Sequence, residues 1–184
     1  VNELDFILIF IILLCVFIGW RRRFVRVCIS IVGLYATVIV IGYLYGPLSD
    51  IGRRAFNRLG LGDMGITQSE ILTYIILLVV MTVLVELLSR NTFVETYILS
   101  IGILDPILGA VVGIFYGLFW ASLFLVPSQF SVAQTGDTWT ATLYGSTLVP
   151  ILNDFFQTAV LDVVSIFFTR GVPELYRNKV SVNL

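Results

Sequence analysis

Residues 103–121 read ILDPILGAVVGIFYGLFWA. Glycine stands at 109, 113 and 117 and alanine at 121, so a small side chain recurs at every fourth position. Residues four apart lie on one face of an α-helix, and Gly109, Gly113, Gly117 and Ala121 therefore make one smooth groove. Glycine costs about 1 kcal/mol against alanine in an aqueous helix. In lipid, pairing helices brings little hydrophobic gain, so close backbone approach and van der Waals packing must drive it. The stretch predicts a membrane helix packed tightly on a neighbour. That neighbour is internal, a second copy or another membrane protein subunit. The second span, with Ser30, Gly33 and Thr37 at similar spacing, is the first candidate, and a homodimer through this helix is the second.

Composition agrees with a bilayer as solvent. The 184 residues are 58% hydrophobic and 12% charged, with mean hydropathy +1.00. A soluble domain carries roughly a quarter charged residues. Net charge is −1 and the basic residues form no long patch, which argues against nucleic acid as a partner. There is no histidine, which removes Ser-His and Cys-His nucleophile systems and most zinc and haem sites. Cys15 and Cys28 sit in or beside apolar runs and read as small apolar fillers. The apolar stretch 6–18 follows Glu3 and Asp5 rather than a basic region, so it reads as a retained helix and not a cleaved signal.

Four spans follow, at about 5–20, 27–46, 71–88 and 106–126. The first is short against the roughly 20 residues that cross a bilayer, so a re-entrant segment competes with a crossing one. Pro47 and Asp50 are expected to end the second, and Pro127 the fourth. Between spans two and three, 51–59 (IGRRAFNRL) suits a short interfacial helix. Residues 128–145 form a polar loop, in which Trp139 and Tyr144 read as interfacial anchors. In 146–169, Asp154, Gln157, Thr158, Asp162, Ser165 and Thr169 recur at three- and four-residue steps. That is the pattern of an amphipathic helix lying on the membrane or against the bundle. The expectation is an all-α polytopic membrane protein: a four-helix transmembrane region over 1–127, then loop, amphipathic helix and polar tail over 128–184.

Few charges fall inside the spans. Glu86 stands four residues before Arg90 and reads either as half of an interfacial pair or as an intramembrane carboxylate for ion or proton transfer. Asp105 before Pro106 reads as the N-cap of the fourth span, with an ion site as the alternative. Arg21, Arg22, Arg23 and Arg26 read as a topology anchor or a site for anionic lipid or an acidic partner. With Arg90 they place five basic residues on one side, against three in 47–69. The positive-inside tendency then sets the arginine turn in the cytoplasm.

Several motifs in order resemble the colicin V production protein (CvpA) family of bacterial inner-membrane proteins. They are Asn2-Glu3-Leu4-Asp5, Gly19 followed by Arg21 to Arg26, Leu104-Asp105-Pro106-Ile107-Leu108-Gly109 with Gly113 and Gly117, and Ser146-Thr147-Leu148-Val149-Pro150. The family's arginine after the helix-start aspartate is Pro106 here, its glycine before Phe24 is Arg23, and its arginine before the last glycine is Tyr116. The resemblance implies an inner-membrane, multi-pass protein supporting toxin production or envelope homeostasis, and brings no catalytic residue. Two further readings stay open: an accessory subunit of a larger membrane complex, for example an energy-transducing one, and a small transporter using Glu86 and Asp105. The sequence holds no P-loop and no Gly-x-Ser-x-Gly, so neither an enzyme nor a cofactor or metal is expected.

Overall fold

Hydrocarbon offers no water to backbone N–H and C=O groups, so apolar segments must satisfy them internally as helices. A computed structural model describes residues 2–58, 66–92, 104–132, 143, 145–168 and 176, and among these all extended elements are helical. They are α1 (Glu3–Arg58), α2 (Ile66–Thr92), α3 (Leu104–Val132) and α4 (Leu148–Ser165). Within α4, α-helix over Leu148–Phe155 and Asp162–Ser165 flanks a π-helical stretch, Phe156–Leu161. The Trp139 loop, Tyr144, the link after Thr92, the Arg23 and Arg90 side chains and the tail apart from Tyr176 lie outside the described residues.

Although α1 is helical throughout, it is two membrane segments, Glu3–Arg22 and Phe24–Ala55. Its contacts with α3 show that the chain doubles back between them. On the first arm, Gly19 meets Gly109, Cys15 and Val16 meet Gly113, and Ile12 meets Gly117, an antiparallel register. On the second arm the register is parallel: Phe24 meets Asp105, and Tyr35 meets Phe119 with ring centroids 5.0 Å apart. Leu8 and Tyr35 thus reach the same level of α3, whereas a straight helix would separate them by about 40 Å. The reversal falls at the arginine turn, residues 20–24. It defines a turn end, with Arg22, Glu86 and Asp105, and a far end, with Asp5, Ser146 and Tyr43.

The groove of α3 is filled, but not by the second span. A methyl group added to Gly113 would lie 3.0 Å from the Cys15 carbonyl oxygen and 3.1 Å from the Val16 Cα. One added to Gly117 would lie 2.9 Å from the Ile12 Cα, and one added to Gly19 would collide with the Gly109 carbonyl. The mate is the first arm, through Ile12, Cys15 and Gly19. Gly33, expected to face this groove, instead receives Val85 of α2, while Ser30 and Thr37 donate to carbonyls of their own helix. The second arm does pack on α3, but through bulky side chains: Leu34, Val38 and Ile41 join Phe119, Leu123 and Val126 in one buried cluster. Ala121, at the end of the small-residue stripe, is buried with Leu4, Leu8 and Leu125 in a second cluster.

Neither proline stops its helix. The second arm runs through Pro47 to Arg58, and α3 runs through Pro127 to Val132. A proline removes one ladder hydrogen bond and bends the axis without ending the helix when packing holds both sides. The bend shows in the contacts. Gly33 to Gly52 is 19 residues, but their partners Val85 and Thr73 are only 12 apart on α2. The surplus length of the second arm is taken up by tilting the segment after Pro47 toward the start of α2. The segment anticipated as a separate interfacial helix is this continuation.

By length and composition five helices can cross a membrane, α4 among them. The first arm, 20 residues long, qualifies as well. The contacts of α4 run across the bundle. Leu148 meets Asp5, Leu152 packs with Leu8 and Leu125, the Ala159 carbonyl accepts from the Tyr35 hydroxyl (2.6 Å), and the Phe167 carbonyl accepts from Tyr43. Asp5 and Tyr43 both belong to the far end, so the helix lies athwart both arms. The π-helical widening turns Phe156, Val160, Leu161 and Val164 inward together, and leaves Asp154, Thr158 and Asp162 exposed as the polar face.

Candidate functional site

Apart from Asp154 and Asp162 on the exposed face of α4, the charged residues of the described bundle gather toward its two ends, and at each end a buried carboxylate holds the start of another helix. The first N–H groups of a helix lack partners within it. Negative charge is favoured there because the peptide dipoles leave partial positive charge at the N-terminus.

At the turn end, the Phe24 N–H donates to Oδ1 of Asp105 at 3.1 Å, and Asp105 is 7% exposed. Asp105 lies inside the first turn of α3, which begins at Leu104, and the cap it supplies is to the second arm of α1. The arginines around Phe24 would by themselves oppose the dipole of that arm, and this carboxylate offsets them. Beside it, Arg22 and Glu86 form an ion pair at 2.7 Å, with side chains 27% and 28% exposed. The pair links the turn to the end of α2 across 64 residues of sequence. Arg21 is exposed and lies over the Phe17 ring, 5.7 Å from its centroid. Arg26 is half-buried on the second arm.

At the far end, Asp5 is 1% exposed. Its carboxylate accepts from the Asn2 N–H at 2.9 Å, the reciprocal half of a capping box on its own helix. It also accepts from the Ser146 hydroxyl and from the N–H groups of Thr147 (3.4 Å) and Leu148 (3.3 Å), which open α4. Ser146 Oγ in turn accepts from the Val149 N–H at 3.2 Å. One carboxylate therefore secures the first turns of two helices more than 140 residues apart in sequence. Nearby, Tyr176 donates to the Val38 carbonyl at 2.8 Å, and burial holds its phenol well above the ordinary range for ionisation.

The anticipated residues therefore separate. Gly109, Gly113 and Gly117 are buried against the first arm, and Ala121 among leucines. Asp105 and Glu86 both lie at the turn end with Arg21, Arg22 and Arg26. Asp5, Cys15 and Gly19 were missed as structural partners. Their signals were in the sequence: the Asn2-x-x-Asp5 spacing of a capping box, and Cys15 and Gly19 four apart as the small residues of the first span. What the ends accomplish chemically is acceptance of N–H and O–H donors by carboxylates and pairing of one acid with one guanidinium.

No curated protein and no solved structure matches the chain. The sequence pattern of the family described as Colicin V production protein matches residues 4–157, which takes in the first arm with Asp5, the arginine turn, the groove and the start of α4. The chain belongs to the colicin V production protein family.

Proposed function

We propose that this membrane protein supports toxin production or export, or envelope homeostasis, from the bacterial inner membrane without catalysing a reaction. Family membership links it to colicin V production. The observation that carries the non-catalytic reading is what the acids at the ends of its spans do. Asp5 and Asp105 accept from helix-starting N–H groups, and Glu86 is paired with Arg22. Groups so engaged act as fasteners, and a rigid bundle is what a support needs.

The reading as an accessory subunit is favoured by α2, which exposes Ile75, Ile76, Val79, Val80, Val83, Leu84, Leu87 and Leu88 along one side. Lipid or another membrane subunit covers such a face. Extraction in mild detergent, followed by mass spectrometry of co-purifying proteins, separates the two: a partner at fixed stoichiometry supports docking. The transporter reading is tested in proteoliposomes. Cation or proton flux that disappears with Glu86→Gln or Asp105→Asn would overturn the support role. In cells lacking the gene, restored toxin release or envelope integrity by the Glu86→Gln chain would uphold it.

A further inference from the structure

The turn end carries more positive charge than its acids neutralise. Among the described residues Glu86 is paired with Arg22 and Asp105 accepts from the Phe24 N–H. No described carboxylate lies within ion-pair distance of Arg21 or Arg26. The sequence adds Arg23 and Arg90, and Glu95 in the link that joins α2 to α3, so five arginines stand against three acids. Arg21 lies over Phe17, which is 60% exposed, and the adjacent Trp20 is 53% exposed. Exposed aromatic rings followed directly by guanidinium groups mark the level where acyl chains give way to headgroups. A guanidinium fork matches a phosphate with two parallel hydrogen bonds. At the far end Arg54 donates to the Asp50 carbonyl of its own helix at 3.2 Å, and the sequence there sets Asp50, Asp63 and Glu70 against Arg53, Arg54 and Arg58.

We infer that the arginine turn binds anionic phospholipid, with Arg21 and Arg26 taking the headgroup phosphate and Trp20 and Phe17 lying against the acyl chains just beneath it. The net negative charge of the lipid matters because a zwitterionic headgroup brings its own cation to an already cationic turn. The inference is independent of the proposed support role, since a transporter or a subunit equally needs its boundary lipid.

The test uses the full chain in nanodiscs of mixed phosphatidylglycerol and phosphatidylcholine, with retained lipids counted by native mass spectrometry. Two arginines near the headgroups correspond to an enrichment of the anionic lipid of roughly thirtyfold. Arg21→Gln combined with Arg26→Gln is expected to bring this to about one, while Arg53→Gln combined with Arg54→Gln leaves it unchanged. Equal retention of both lipids by the wild type, or an equal loss in both double variants, would overturn the inference. Displacement of the lipid by millimolar inorganic phosphate would reassign the turn to a free anion. Binding of an acidic peptide without anionic-lipid enrichment would reassign it to a protein partner, and either result overturns it too. Should the turn variant fail to fold, the wild type in about 1 M salt serves, where the screening length falls to roughly 3 Å. Enrichment is expected to vanish there, and its persistence would refute a charge-based site.

Discussion

A carboxylate taken out of water is costly unless donors surround it, and Asp5 and Asp105 both find theirs at helix starts. Each thereby turns a burial penalty into a fastening between elements. Replacing Asp105 with alanine should lower stability by about 1–2 kcal/mol, the usual cost of losing a cap, read as a lower unfolding midpoint in mild detergent. Asp105→Asn, which keeps an acceptor oxygen, should lose less. An unchanged midpoint for the alanine variant would remove the capping role. Glycines offer a second contrast at this scale. A Cβ at Gly19 would collide with the Gly109 carbonyl, whereas one at Gly46 would meet nothing within 4 Å. Gly19→Ala should therefore destabilise by about 1–3 kcal/mol. At Gly46 the propensity gain of about 1 kcal/mol is opposed by the clash of an added Cβ with the ring of Pro47, so Gly46→Ala should shift stability by less than about 1 kcal/mol. Thermal unfolding of the two variants side by side decides the matter, and equal shifts would contradict the packing described.

Among the elements, close contact between helices takes two chemical forms. The first arm and α3 approach through backbone, small residue against small residue. The second arm receives α2 as a knob in a hole, Val85 reaching into the space over Gly33. Valine is stiff about χ1, so it cannot swing clear of an added methyl group. Gly33→Ala should thus be destabilising alone and partly rescued by Val85→Ala, with a coupling of about 0.5–3 kcal/mol in a double-mutant cycle. Strict additivity of the two changes would show that the pair does not touch. Tyrosines add polar fastenings across the apolar interior: Tyr35 to the Ala159 carbonyl and Tyr74 to the Leu123 carbonyl at 3.1 Å. Carbonyl oxygens keep a second lone pair after accepting a helical bond, which is why these hydroxyls can be buried.

The molecule as a whole is organised by the reversal within α1, which lays both arms on α3 and sets α4 across them at the far end. This topology is testable without a membrane assay. In a background lacking Cys15 and Cys28, a cysteine pair at Leu4 and Leu125 and another at Tyr35 and Phe119 should both be joined by a short bifunctional thiol reagent. A continuous straight α1 could satisfy one pair but not the other, so cross-linking of only one would refute the reversal.

Much of this architecture was legible in the chain itself. Apolar run length and the scarcity of charge inside the runs set the helical class and its membrane solvent, because no other structure satisfies backbone groups in lipid. The four-residue step of Gly109, Gly113 and Gly117 announced a close approach, and the polar steps from Asp154 to Ser165 announced a two-faced last helix. The identity of the approaching partner was not legible. Cys15 with Gly19 and Ser30 with Gly33 and Thr37 are both small-residue spacings, and periodicity along one helix carries no information about which neighbour fills its groove. The same limit hid Asp5 and Asp105. Local spacing marks each as a helix-start residue, but the N–H groups they hold at Leu148 and Phe24 become neighbours only through the fold. Sequence read Pro47 and Pro127 as ends, yet both helices run on, and beyond Pro47 the contact of Gly52 with Thr73 comes from another segment. Sequence alone determined which stretches must be helices and which of their faces are smooth or polar, for those depend on neighbours along one chain. Only the tertiary structure decided which faces meet, because that depends on where the chain turns back.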